Sequence, residues 1–443
     1  MKKIIVIALF IAQPAFCITT KAGIGTDYAL QVHPAIQALT MVMIHDVVNP
    51  PAAARYYAYC SMAAYNIVAV HNAGMRPLSS FIRSFKEAAA PTGTAYDYRI
   101  AAVYSIMEAG RQLLPSGYML QDDEEKYVAK LKKGGIKDAI VRASIKVAEE
   151  AVEKIVDYAK GDHYNKLSTF VRYTPLKGDS SWYPTPPAYM EAVEPHWNTI
   201  RPFVIDSASE YVPERPVAFS KDTASDFFKL ATEVYKVTGK LTEEQVNIAN
   251  FWDCNPFAIT TSGHMMIGFK KISPGGHWMN IAGIAAKKAR LGFDNTVLLH
   301  AATGITLMDA FISCWDEKYR SNRIRPETFI IRYIDPKWRP VLQTPPFPEN
   351  TSGHSVISAA AAEVLTYFLG DNFAYTDDSE EMFEIPARKF PSFRKASAEA
   401  AISRLYGGIH FKDSIENGQK EGRQVAGKVI AALVAAGIKP MVK

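Results

Sequence analysis

Thr351-Ser352-Gly353-His354 opens the apolar run Ser355-Val356-Ile357-Ser358-Ala359-Ala360-Ala361-Ala362, shortly after the proline-rich Thr344-Pro345-Pro346-Phe347-Pro348. The prolines stop any helix upstream, and the alanine-rich run propagates one downstream. A helix start leaves about four backbone N–H groups unpartnered and carries the positive end of the helix dipole. Small residues there let an oxyanion reach the backbone, and a histidine beside it can move protons. A serine before a helix is most often only a cap, so the tetrapeptide decides little alone. Thr261-Ser262-Gly263-His264 repeats it without the apolar helix or the basic partners.

The same 3.6-residue periodicity recurs along the chain. It predicts helices over 32–72 (divided by Pro50-Pro51), 98–114, 122–131, 136–161, 223–237, 243–251, 279–289, 296–319, 359–369, 396–406 and 416–436. Period-two alternation is nearly absent, and 329–333 is the only strand-like run. The fold class is all-α, built from bundles of antiparallel helices with long irregular loops. Residues 162–216 hold Trp182-Tyr183-Pro184-Thr185-Pro186-Pro187 and His196-Trp197 without a period. A stretch of that length is either a binding loop or a stiffened connector. The expected organisation is a leader at 1–17, an N-terminal helical region at 18–240 and a C-terminal helical catalytic region at 241–443.

The 443 residues are 48% hydrophobic and 21% charged, a globular balance. Net charge is only +5, from 50 Lys+Arg against 45 Asp+Glu, which argues for a local basic pocket and against nucleic acid. Met1-Lys2-Lys3, the apolar 4–12 and Gln13-Pro14-Ala15-Phe16-Cys17 have the form of a secretory signal peptide. Cleavage after Cys17 predicts an exported, periplasmic protein with no transmembrane segment left. Bulky Phe16 fits a lipid anchor on Cys17 poorly. Cys60, Cys254 and Cys314 have neither zinc-site nor disulfide-framework spacing and read as buried free thiols.

Three segments of the C-terminal half share one chemical use. Lys318-Tyr319-Arg320-Ser321-Asn322-Arg323-Ile324-Arg325-Pro326 closes a strongly apolar helix. Ser352-Gly353-His354 opens the next. In Ser403-Arg404-Leu405-Tyr406-Gly407-Gly408-Ile409-His410 the paired glycines end a helix and present His410. Singly, each basic residue reads as a surface or helix-end charge, and each histidine as a satisfied core group. Together, Lys318, Arg325 and Arg404 supply cations suited to an oxyanion, Ser352 and Gly353 add hydrogen bonds, and His354 and His410 remain for proton transfer, nucleophilic attack or metal ligation.

Lys-x6-Arg-Pro, Ser-Gly-His and Ser-Arg-x5-His, in this order, resemble the signature motifs of the superfamily that joins vanadium-dependent haloperoxidases to type 2 phosphatidic acid phosphatases. Chain length, the flanking run from Trp315 to Pro348 and the upstream Trp/Pro segment look more like the haloperoxidase branch. That resemblance implies a vanadate cofactor, with His410 bonding vanadium, Lys318, Arg325, Arg404, Ser352 and Gly353 holding its oxygens, and His354 assisting peroxide. Hydrogen peroxide and a halide would be the substrates. The alternative is an exported phosphatase of phosphate monoesters without vanadate, His410 attacking phosphorus and His354 protonating the leaving alkoxide. A passive oxyanion-binding protein is the third reading. Two departures stand out: Thr351 replaces the usual proline, and Ser414 replaces the aspartate of His-x3-Asp. Asp413, from a shifted backbone, or another carboxylate is then expected to orient His410. His45, His196, His264, His277 and His300 read as structural, solvent-facing or channel-bordering.

Overall fold

The computed structural model describes residues 27–87, 95–262, 265–268 and 270–442. The leader at 1–17, Cys17 and His264 lie outside the described residues. The helices are α1 (Ala29–His45), α2 (Pro50–His71), α3 (Tyr98–Leu113), α4 (Gln121–Lys133), α5 (Asp138–Lys160), α6 (Asp226–Thr238) and α7 (Glu243–Phe251). They continue with α8 (Pro274–Lys288), α9 (Phe293–Ser321), α10 (Pro326–Tyr333), α11 (Gly353–Leu369), α12 (Phe393–Tyr406) and α13 (Lys412–Ala435). The described strands form two short antiparallel hairpins, β1 (Ile259–Ser262) with β2 (Met265–Gly268) and β3 (Tyr375–Asp377) with β4 (Arg388–Phe390).

The helices start where capping chemistry allows. Asn49 accepts from the Ala52 amide and places Pro50-Pro51 in the first turn of α2, so the double proline begins that helix as well as ending the gap before it. Thr242 and Gln245 close a capping box on α7. The run 329–333, expected as a strand, is instead the body of α10. Pro326 presets its first turn, and Phe329 and Ile330 fall on one buried face. Its β-branched and aromatic composition imitates a strand. The two hairpins, with three or four residues per strand, are too short to show alternation.

One continuous apolar core takes side chains from α1, α2, α3 and α5 and from α8, α9, α11, α12 and α13, spanning both halves of the chain. Helix α2 is buried on every side from Pro50 to Val68. Helix α9 packs against α2, α8, α11 and α13. It is long and apolar enough to cross a membrane, yet its most apolar window is entirely buried in the protein. A second cluster joins α6, α10 and α12 through Phe227, Phe329 and Leu405. Residues 162–216 contain short 3-10 turns and one isolated bridge, Ser181 to Arg323, and lie pinned along α9. Asp309 accepts from the amides of Phe203, Val204 and Ile205, and the Val193 carbonyl from Trp315 Nε1 and Tyr319 Oη.

Helices α11 and α13 meet with almost no space between backbones. A Cβ on Gly422 would stand 2.1 Å from the Val356 carbonyl oxygen, and one on Gly418 would stand 2.9 Å from that of Ser352. A Cβ on Gly427, in the same helix, would meet nothing within 4 Å. Gly422→Ala is therefore expected to destabilise the protein by about 1–3 kcal/mol through overpacking. Gly427→Ala is expected to stabilise it by about 0.5–1 kcal/mol, from helix propensity. Chemical denaturation midpoints read both; shifts of the same sign would refute the packing account.

Candidate active site

Three helix ends converge. Asn322 takes a left-handed conformation (φ 46°) and ends α9, turning the chain so that Arg323 and Arg325 follow Lys318 into the interior. Helix α12 stops at Gly407; Gly408, with φ 75°, turns the backbone so that His410 faces the end of α9. Helix α11 starts between them. Ser352 is its N-cap by position but makes no side-chain cap; its Oγ accepts from Ser355 Oγ at 2.9 Å. The Gly353 and His354 amides thus have no acceptor among the described residues. A Cβ on Gly353 would lie 3.9 Å from Lys318 Cε, so glycine keeps this floor open.

The cations are buried, and carbonyls surround them. Lys318 Nζ donates to the carbonyls of Pro348 (3.1 Å), Glu349 (3.2 Å) and Thr351 (2.5 Å). Arg325 donates to the Phe347 carbonyl through Nε and Nη2 and to that of Ile409 through Nη1. Arg404 donates to the Trp252 carbonyl at 2.6 Å and to Ser403 Oγ at 2.9 Å. None of the three makes an ion pair with a carboxylate among the described residues. Burial pulls the Lys318 ammonium down to about 8 and Arg325 to about 10, and it lowers Arg404. Carbonyl dipoles orient these charges without cancelling them.

The two histidines differ. His410 Nδ1 lies 2.8 Å from Glu349 Oε1, and its Nε2 lies 3.2 Å from Arg325 Nη1. A carboxylate only accepts, so Nδ1 carries the hydrogen and Nε2 keeps its lone pair toward the cations. Burial, then Arg325, Lys318 and Arg404, hold His410 well below its usual pKa. His354 is half-buried, and its Nε2 is an enclosed atom with no partner among the described residues. Burial, then the charge of Arg404, hold it low too, so it is a neutral base.

Lys318, Arg325, Ser352, Gly353, His354, Arg404 and His410 therefore share one pocket. Asp413 does not orient His410. It receives both Nη atoms of Arg323 at 2.8 Å and the Val217 amide, because its position in the first turn of α13 turns it away from the ring. Glu349 does that work instead, accepting also from the Phe411 amide and from Arg323. Its signal in the sequence was faint: one acid in the proline-rich approach to Ser352-Gly353-His354. Arg323 was also missed, hidden among neighbouring basic residues. Glu421 on α13 ties the pocket's floor to α9, accepting from Thr351 (2.6 Å) and Ser313 (2.7 Å).

The other histidines stand elsewhere. His45 pairs with Asp46 at the surface, His196 meets the Val171 carbonyl, and His300 is buried against the Thr296 carbonyl. Unpaired cations, an uncapped helix start and a histidine lone pair fit vanadate, an oxyanion whose central atom accepts a nitrogen ligand.

Residues 334–436 match the family model of the VCPO second helical-bundle domain. No curated protein sequence matches the chain. Among solved structures, the chain is 42% identical to a bacterial vanadium-dependent iodoperoxidase, over 91% of this chain and 96% of that one, with a TM-score of 0.84. A holo-type bacterial vanadium-dependent chloroperoxidase is 14% identical over 93% of this chain and 96% of its own, with a TM-score of 0.63. The apo-type chloroperoxidase is 13% identical over 88% and 94%, with a TM-score of 0.65. These last two share the fold. With that extent of identity to the iodoperoxidase, and with the helical bundles in place, the chain belongs to the vanadium-dependent haloperoxidase family.

Proposed function

We propose that the chain is an exported haloperoxidase that holds vanadate in this pocket and uses hydrogen peroxide to oxidise iodide. The observation that carries the reading is the His410 ring, with Nδ1–H committed to Glu349 and Nε2 facing cations that lack an anionic partner among the described residues. Bound vanadate supplies a Lewis acid that activates peroxide toward a halide, giving a hypohalous-acid equivalent. His410 ligates it through Nε2, and its lowered pKa keeps the lone pair free of protons. Lys318, Arg325, Arg404, the Ser352 hydroxyl and the Gly353 amide hold the oxygens and draw off negative charge. His354, neutral and unpartnered at Nε2, takes the proton that peroxide must lose. The choice of iodide rests on the 42% identical relative, which is described as an iodoperoxidase.

Vanadate-reconstituted protein is expected to oxidise iodide in a peroxide-dependent way. His410→Ala is expected to lose vanadate binding beyond the roughly 100-fold typical of an outer partner. Hydrolysis of p-nitrophenyl phosphate that vanadate inhibits, without peroxidase activity, would establish the phosphatase reading instead, with His410 as nucleophile. Vanadate binding without either turnover would leave a passive binding protein.

Glu349 is a positioning residue, acting through His410. Glu349→Gln is expected to weaken vanadate binding about 10- to 100-fold by removing the anion that fixes the ring. Asp413→Asn, which touches Arg323 and not the ring, is expected to weaken it less. The reverse order in a vanadate titration would return the orienting role to Asp413.

Export rests on residues 1–17, whose basic start, apolar centre and small-residue end have leader form. Protein recovered from the periplasm of a bacterial host is expected to begin at Ile18. An intact Met1, or lipid on Cys17, would contradict that cleavage.

A further inference from the structure

A second buried cluster of donors lies beside the anion pocket. It draws on three separate segments: Cys254 after α7, His277 in the first turn of α8, and Glu380 just after β3. All three are buried. Cys254 Sγ is 3.3 Å from His277 Nδ1, His277 Nδ1 is 3.2 Å from Glu380 Oε1, and Sγ is 3.9 Å from that oxygen. A triangle with these sides has a centre about 2.0 Å from each corner. Zinc bonds thiolate at about 2.3 Å, imidazole at about 2.0–2.1 Å and carboxylate at about 2.0–2.2 Å. An ion slightly above the plane of the three atoms meets all of these distances.

The far side of the imidazole points the same way. His277 Nε2 lies 2.8 Å from Asp377 Oδ2, and Asp377 is itself held by the Ser379 amide at 3.1 Å. A carboxylate on one ring nitrogen, with the other nitrogen turned to a thiol and a second carboxylate, is the arrangement that orients metal-binding histidines. Stacking on Trp252 at 4.7 Å fixes the ring plane.

We propose that Cys254, His277 and Glu380 bind one zinc ion, with Asp377 as the carboxylate behind His277. Binding releases two protons to solvent, the thiol proton of Cys254 and the Nδ1 proton that His277 directs at Glu380, and His277 then ligates as neutral imidazole through Nδ1. Thiolate and carboxylate then balance the two charges of the ion, so it adds no net field to the anion pocket. The ion clamps the end of α7 to the start of α8 and to the β3 turn. That clamp reaches catalysis through Trp252, which stacks on His277 and whose carbonyl receives Arg404.

The test measures zinc and vanadium together in the full-length protein. About one zinc per chain is expected, removed by a chelator and restored by zinc alone. Cys254→Ser and Glu380→Gln are each expected to abolish stoichiometric retention, and Asp377→Asn to weaken affinity about 10- to 100-fold. His410→Ala is expected to keep zinc while losing vanadium, which separates this site from the vanadate site. If the variants fold poorly, cobalt replaces zinc in the unmutated protein, where a thiolate-to-cobalt charge-transfer band is expected. Folded protein that takes up no zinc and shows no such band overturns the proposal, as does zinc retention unchanged in both Cys254→Ser and Glu380→Gln.

Discussion

Three cations buried without an anionic partner among the described residues set the terms for this structure. Removing a charged side chain from water costs several kcal/mol per ion, even after the protein relaxes. Carbonyl oxygens of Phe347, Pro348, Glu349, Thr351, Ile409 and Trp252 return part of that cost as ion–dipole interaction. The remainder appears in the lowered proton affinities of Lys318, Arg325 and Arg404. An oxyanion that enters the pocket meets strong donors in a low-dielectric surrounding, where each contact counts for more than in water. By mass action, any such anion also stabilises the folded state that presents those donors.

Rigid packing is what keeps the cations apart from neutralising groups. Lys318 is carried by α9, which is enclosed along its length by α2, α11 and α13. The first turn of α11 is held by the close approach of Gly418 and Gly422, and its entry residue Thr351 by Glu421. Residues 162–216, an irregular strap tied to Asp309 and to α9, cover the same end of the bundle. A looser fold would let Lys318 or Arg325 swing toward a carboxylate and fill its own anion site.

The sequence pattern made most of the helices legible, because long amphipathic or wholly apolar periods survive tertiary context. Helix α7 falls on the predicted 243–251, and α9 extends three residues before and two residues beyond the predicted 296–319. Residues 329–333 misled because β-branched content outweighs a proline start only when burial is ignored. The cationic half of the pocket was legible for a chemical reason: arginine and lysine at fixed spacing from helix ends have few uses inside a protein. Glu349 was not, since a carboxylate 61 residues from His410 reaches it only through the fold. The same limit applies to Cys254, His277 and Glu380, whose wide separation gave no metal-site spacing.

The placement of the carboxylates explains how the pocket stays positive while orienting its histidine. Glu349 approaches His410 from the Nδ1 side, behind the ring, and Asp413 is occupied by Arg323. Arg323 touches both acids, so this group of three carries one net negative charge, behind the ring. Against it stand Lys318, Arg325 and Arg404, leaving an excess of two positive charges for the anion. A doubly charged tetrahedral oxyanion balances that excess, and vanadate and phosphate meet the condition equally. Charge therefore selects the class of ligand, and the Nε2 lone pair of His410 selects within it. A nitrogen held neutral by its neighbours and aimed by Glu349 favours an anion whose central atom accepts a stable fifth ligand, which is the chemistry of vanadium.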